Sequence, residues 1–291
     1  MCIRDRCNEK QLSSRKLAEN RYKNSVFGRV IVDPYWMIKD MVGRGFFVGL
    51  KRFSLEDISQ YLLGEGKIEF SHRDMAIAWN GNEEQMKRFI DYARRDSELV
   101  LKLLLEKQLL DKYIGISKVS GLLLQDSLDT GEAGKVENLL LREFNKEDFV
   151  LPCKPSEREV VRRKAEKEVK GFKGALVLDP EIGLHTNCVC YLDIASMYPS
   201  IFISFNICPT TLLLEKRDDV EKIVTPFGTS FVSEKVRRGI VPKMVERLIK
   251  ERNIVKTQMK NEKNPEKRRS LDAYQEGLKR IANATYGYTG F

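Results

Sequence analysis

Apolar residues recur at helical spacing along much of the chain. From Asn82 to Tyr113, Met86, Phe89, Ile90, Ala93, Leu99, Leu103 and Leu110 supply most of one apolar stripe. That pattern predicts one helix broken near Asp91, or two helices. Upstream, Ser54-Leu55-Glu56-Asp57 reads as a capping start for a helix that ends at glycine, and Gly28–Asp33 reads as a short strand. Residues 118–138 carry mixed helical signals with a turn-like Asp129–Lys135, and 145–157, with two prolines, reads as an extended connection. Glu157–Lys170 predicts a charge-rich helix. A β-hairpin is expected next, with strand Ala175–Leu178, turn Asp179–Gly183 and strand Cys188–Ile194.

The last third has the clearest pattern. A helix is expected from Val241-Pro242 to about Asn261, with Met244, Leu248, Val255 and Met259 as its core face. Arg252, Lys256 and Lys260 repeat every four residues on another face. Asn264 and Pro265 then supply an N-cap and a first helical position. The second helix buries Leu271, Tyr274, Leu278 and Ile281 and aligns Lys279, Asn283 and Tyr286 on an adjoining face. A short break between two long amphipathic helices predicts an antiparallel helical hairpin.

Charge sharpens this picture. The net charge is +9, and Lys235–Arg280 holds fifteen Lys/Arg against six Asp/Glu, so the whole excess lies in that one segment. Such a patch is a solvated helical surface or a seat for a phosphate-bearing partner. The six cysteines form no C-x-x-C pair and there are only two histidines, which argues against zinc and for reduced thiols in a cytosolic compartment. No run of 18 apolar residues predicts a membrane span, and no apolar stretch follows Arg4-Asp5-Arg6 to form a secretory signal.

One carboxylate stands out. Asp193 closes an apolar, β-favouring run and is followed by Ser196, Tyr198 and Pro199. A carboxylate at a strand end before a tight turn into a helix can coordinate a hard divalent ion, while free N–H groups of the turn accept phosphate oxygens. Taken alone, Asp193 reads first as a helix N-cap or turn residue. The cationic hairpin favours the phosphate reading.

These residues resemble family-B DNA polymerases. Leu192–Ile201 (LDIASMYPSI) resembles the first polymerase motif. Lys279–Gly290 (KRIANATYGYTG) resembles the K-x-x-x-N-[SA]-x-Y-G finger-helix motif, and Glu251–Lys260 (ERNIVKTQMK) the other finger helix with its R-x-x-x-K contacts. Gly239–Pro242 fits the segment leading into the fingers. Tyr92 and Asp96, in Asp91–Leu104, resemble the third exonuclease motif, Y-x-x-x-D. The order and spacing hold from roughly Gly28 to Phe291 and are most similar to the replicative archaeal-type enzymes. Family-A polymerases fit less well.

The resemblance implies an α+β fold with part of an RNase H-like exonuclease domain (1–107), a connecting segment (108–156), a partial palm with the antiparallel hairpin (157–240) and a two-helix fingers hairpin (241–291). It implies that Asp193 binds two catalytic Mg²⁺ ions with the Ile194 carbonyl as a further ligand. Ser196 and Met197 would offer N–H groups to the triphosphate. Tyr198 would lie under the incoming sugar and exclude a 2′-hydroxyl. Arg252, Lys256 and Lys279 would bind the triphosphate, Lys279 acting with Asp193 in catalysis. Asn283, Tyr286 and Gly287 would face the nucleotide and the nascent base pair. Asp96 would hold a divalent ion of a 3′→5′ proofreading site, with Tyr92 orienting water. Read without the family, Tyr198 is a core aromatic, Asn283 a helix C-terminal residue, Arg252 and Lys256 a solvated face, and Asp96 a surface acid.

The implied partners are primer–template DNA, a dNTP and a sliding clamp bound through regions outside this chain, with no membrane and a cytoplasmic, nucleoid-associated setting. The later D-T-D motif is not found before Phe291, nor the earlier exonuclease motifs after residue 1, so an internal fragment, inactive by itself, is expected. MCIRDRC has no clear counterpart at its place in the family and reads as a foreign or mistranslated end. Phe172-Lys173-Gly174-Ala175 replaces the family's Y-x-G-[GA], and Ala284 its commoner serine. The alternatives are a catalytically dead nucleic-acid-binding module on a polymerase scaffold and, more weakly, a stand-alone nuclease.

Overall fold

The computed structural model describes residues 12–18, 21–26, 28–43, 45–153, 155–169, 177–215 and 219–289. The chain divides into two compact units, one formed by 1–130 with 258–277 and the other by 131–257 with 278–291.

The first unit opens with an antiparallel pair, β1 (Leu12–Ala18) and β2 (Arg21–Val26), in a stretch where no strand was expected. Gly28–Asp33 is not the expected strand. It forms no ladder, and Ile31 N–H donates instead to Gln125 Oε1 at 2.7 Å. Helices α1 (Pro34–Gly43), α2 (Leu55–Leu63), α3 (His72–Trp79), α4 (Glu83–Glu106), α5 (Leu109–Ser120) and α6 (Leu124–Asp129) follow. The α2 ends are as the sequence predicts: Ser54 accepts from Asp57 N–H, and Gly64 closes the helix at φ 72°. The predicted break near Asp91 lies instead at Lys107-Gln108, where Gln108 adopts φ 53°. Ile38, Leu103, Leu109 and Ile58 form the core between α1, α2, α4 and α5.

The second unit contains α7 (Glu132–Lys146), α8 (Glu157–Val169) and α9 (Met197–Ser204). The predicted turn at Asp129–Lys135 shrinks to Thr130-Gly131, because α7 already begins at Glu132. A three-stranded antiparallel sheet follows, with β3 (Leu212–Leu213) and β4 (Lys222–Val224) flanking β5 (Ser230–Val232). The long helices are α10 (Ile240–Asn261) and α11 (Pro265–Thr289), joined by three residues as the periodicity predicts. Asn264 Oδ1 accepts from Glu266 N–H and Lys267 N–H, fulfilling its expected capping role.

The expected hairpin of 175–194 is a correction. Its first residues, and the Phe172–Ala175 departure, lie outside the described residues. Cys188–Ile194 is irregular and exposed, with Tyr191 at 92% and Leu192 at 89%. A β-favouring run becomes a strand only when a neighbour satisfies its N–H and C=O groups and covers a face. Among the described residues none does so here, and the antiparallel sheet falls at 212–232.

Asn206 fastens the end of α9 to the start of α10. Its buried amide donates to Val232 O at 2.7 Å and Arg237 O at 2.8 Å, and its Oδ1 accepts from Gly239 N–H at 2.8 Å. Gly239 approaches so closely that a Cβ there would meet Cys208 Cβ at 2.7 Å. The two segments that carry the candidate chemistry are therefore joined through one satisfied polar knot.

Candidate functional site

Asp193 and Ile194 sit in the exposed stretch just before α9, and Asp193 makes no ion pair among the described residues. Ser196 takes the left-handed conformation, φ 52° and ψ 45°, which is unusual for a non-glycine residue and turns the chain abruptly into α9. Ser196 makes no side-chain capping bond to that helix, so the N–H groups of its first turn, beginning at Met197, receive no cap from it.

Tyr198, in the first turn of α9, stacks on Tyr286 of α11. The ring centroids are 4.1 Å apart and the planes 13° from parallel. This contact brings the segment bearing Asp193, Ser196 and Met197 against the end of α11. Lys279, Asn283 and Gly287 are exposed on that same end, in the same unit. Gly287 is helical, and among the described residues no atom beyond its own stretch of helix lies within 4 Å of the position a Cβ would take.

On α10, Lys256 is exposed and Arg252 half-buried. The nine-charge excess is less concentrated in space than in sequence, because Glu143 of α7 and Glu147 just beyond it reach α10. Lys243 pairs with Glu147 at 2.9 Å and Arg247 with Glu143 at 2.8 Å, while Arg238 and Lys250 pair with Glu246. Lys256 and Lys279 make no ion pair among the described residues, which leaves their charge for an anion.

Behind α11, Arg280 pairs with Glu132, which also holds Lys135 at 3.2 Å. Lys135 is 2% exposed. Burial pushes the Glu132 carboxyl up, but Lys135 and Arg280 outweigh it and hold the group below its ordinary value of 4.5. A depressed folded pKa contributes stability that is complete above the unfolded value and is lost as pH falls through the folded one. Thermal unfolding should therefore shift down as pH drops below 4.5. Glu132→Gln should lower the midpoint at pH 7, by about 2 kcal/mol of stability, and flatten that acid-side slope. An unchanged slope in calorimetry would refute this role.

In the first unit, the loop after α2 is strapped to α4. Glu65 binds Lys102 at 2.7 Å and Arg95 at 2.9 Å, and Arg95 Nε donates to Gly66 O. The strap sets Lys67 against both predicted exonuclease residues, with Nζ 3.0 Å from Asp96 Oδ2 and 3.5 Å from the Tyr92 hydroxyl. Burial pushes the Lys67 amine down, yet its bonds to Asp96 and Tyr92 hold it above its ordinary value. The Tyr92 ring also stacks on Phe70 at 5.2 Å. Lys67 is 29 residues from Asp96 in sequence, in a loop without periodicity, and only the strap reveals it.

Metal-binding capacity is partial in both places. Asp96 Oδ1 is buried without a hydrogen-bond partner among the described residues, an acceptor suited to a hard cation. Asp193 offers an exposed carboxylate. Among the described residues no three of His, Cys, Asp or Glu gather into a metal-holding group. Each place thus shows one carboxylate, Asp96 or Asp193, without a gathered donor set among the described residues. Among the described residues, no helix is long and apolar enough to cross a membrane.

The sequence model for DNA polymerase family B matches residues 122–291. The DNA polymerase delta catalytic subunit of Caenorhabditis elegans is 31% identical over 282 residues, covering 96% of this chain and 25% of that protein. The corresponding subunit of Drosophila melanogaster is 32% identical over 301 residues, covering 99% of this chain and 26% of its own length. Among solved structures, the family B DNA polymerase of the hyperthermophilic archaeon Pyrobaculum calidifontis superposes with a TM-score of 0.65 at 29% identity, over 92% of this chain and 33% of the other. The chain thus spans about a quarter of the length of these curated relatives.

Proposed function

The chain belongs to DNA polymerase family B, and from that premise we propose that it is the internal segment of a template-directed DNA polymerase with a linked 3′→5′ proofreading exonuclease. The full-length polymerase would take primer–template DNA and a dNTP. It would join the primer 3′-hydroxyl to the α-phosphate by in-line attack and release pyrophosphate. The observation that carries this reading is the Tyr198–Tyr286 stack, because it unites the helix start following Asp193 with the finger-type helix bearing Lys279 and Asn283.

In this proposal Asp193 and the Ile194 carbonyl would hold divalent ions, whose charge would offset that of the phosphates. The N–H groups of Ser196 and Met197 receive phosphate oxygens. Arg252, Lys256 and Lys279 grip the triphosphate and stabilise the leaving pyrophosphate. Tyr198 lies under the sugar and rejects a 2′-hydroxyl, while Asn283, Tyr286 and Gly287 face the nucleotide and nascent pair. Asp96 and Tyr92 serve the proofreading site, as an ion ligand and a water-orienting hydroxyl. The exonuclease part spans 1–107, the connection 108–156, the partial palm 157–240 and the fingers 241–291. A sliding clamp would engage regions outside this chain, in a cytoplasmic, nucleoid-associated setting.

With one carboxylate at each centre, the 291 residues alone should bind but not react. The purified chain should bind primer–template DNA with an affinity that falls steeply as salt rises, because lysine and arginine displace condensed counterions. It should show no measurable primer extension with Mg²⁺ and dNTPs. Robust extension would overturn the accounting of carboxylates, and salt-insensitive binding would overturn the assignment of the cationic face.

A further inference from the structure

The ring that would test the sugar is not supported by its own helix alone. Tyr198 occupies the first turn of the eight-residue α9 and is 41% exposed, and Tyr286 is 46% exposed. Each covers a face of the other, nearly parallel at 4.1 Å. A steric filter works only if its wall does not yield. Rejecting a ribonucleotide by 1000-fold means withstanding a difference of about 4 kcal/mol. An exposed tyrosine with two soft side-chain torsions escapes a clash by changing rotamer at a lower cost than that. The wall therefore needs backing.

We infer that Tyr286 is a positioning residue for sugar selection, holding the Tyr198 ring in the plane where it meets the nucleotide's C2′. This rests on the proposed reading of Tyr198 as the sugar filter, and it gives Tyr286 a role distinct from facing the nascent base pair. The ring carries the effect, since what Tyr198 touches is the flat face of its partner. The consequence is that discrimination against ribonucleotides is a property of the pair.

The test uses the full-length polymerase and the ratio of kcat/KM for a dNTP to that for the rNTP of the same base, taken in single turnovers so that a rate loss common to both sugars cancels. Tyr286→Ala should lower that ratio about tenfold, the strength of one aromatic contact, and Tyr286→Phe should keep it within about twofold. Tyr286→Leu, which retains bulk, should also lower the ratio and provides the readout should the alanine variant extend too slowly. Tyr198→Ala should relax selection further, and adding Tyr286→Ala to it should change the ratio no more. If Tyr198→Ala relaxes selection while Tyr286→Ala and Tyr286→Leu leave the ratio unchanged, the positioning role is refuted and the filter stands. If Tyr198→Ala itself leaves the ratio unchanged, the filter reading falls and the inference with it. Additive effects in the double variant would also refute action through Tyr198.

Discussion

Asp193→Ala in the full-length polymerase should lower single-turnover primer extension by about three orders of magnitude or more while leaving the thermal unfolding midpoint of this chain nearly unchanged. The two halves of that expectation have separate causes. Asp193 is exposed, lies in an irregular stretch and makes no ion pair among the described residues, so its removal breaks nothing that holds the fold. Substitutions of that kind alter stability by less than about 0.5 kcal/mol. Chemically, the carboxylate would be the attachment point for the ions that neutralise the reacting phosphates. Among the described residues no three potential metal-holding side chains gather, so no ready-made carboxylate cluster stands in for it. An Asp193→Ala enzyme that extends primers within tenfold of the unmodified one would remove Asp193 from the mechanism. A large fall in the unfolding midpoint would instead make it a structural acid.

What the sequence disclosed, and what it concealed, follows the range of the interactions involved. The helical hairpin was legible because its signals are local: Asn264 caps through residues two and three positions on, Pro265 fits a first turn, and Met244, Leu248 and Val255 repeat at the pitch of the helix they bury. The family was legible because its motifs are contiguous. The strand expected at Cys188–Ile194 failed because a strand's stability lies in a neighbour, and no residue within the run reports whether one is present. The pairing of the basic segment was hidden for a related reason. Glu143 and Glu147 are about a hundred residues from Lys243 and Arg247, so the charge balance of the α10 surface is not visible in the segment's own composition. Lys67 was concealed in the same way, since only the folding of its loop onto α4 brings it to Asp96 and Tyr92. The Tyr198–Tyr286 stack was half legible, because both residues stand in recognisable motifs while their contact does not.

Two glycines inside helices make the same point with opposite expected outcomes. Gly115 is in the interior of α5, where alanine would ordinarily add about 1 kcal/mol through helix propensity. Here a Cβ would run into the carbonyl oxygen of Ala273 on α11 and lie 2.7 Å from its carbonyl carbon. Reciprocally, a Cβ on Gly277 would meet the Gly115 backbone at 2.9 Å. These obstacles are main-chain atoms of a second helix, so no side-chain rotation relieves them and the helices must part. Overpacking of this kind costs about 3 kcal/mol, which exceeds the propensity gain and sets the sign. Gly115→Ala should therefore lower the unfolding midpoint of the chain by several degrees. Gly287, also helical, has open space around the same position, so Gly287→Ala should leave the midpoint unchanged or raise it, by up to about 1 kcal/mol of stability. Calorimetry of the two variants side by side decides the matter. A Gly115→Ala chain as stable as the parent would mean that the α5–α11 approach is looser than the Gly115–Ala273 contact implies, and a Gly287→Ala chain that melts early would mean that its helix end is packed against something. If Gly287→Ala is stable yet impairs nucleotide addition in the full-length polymerase, the open space beside it is where substrate approaches the backbone.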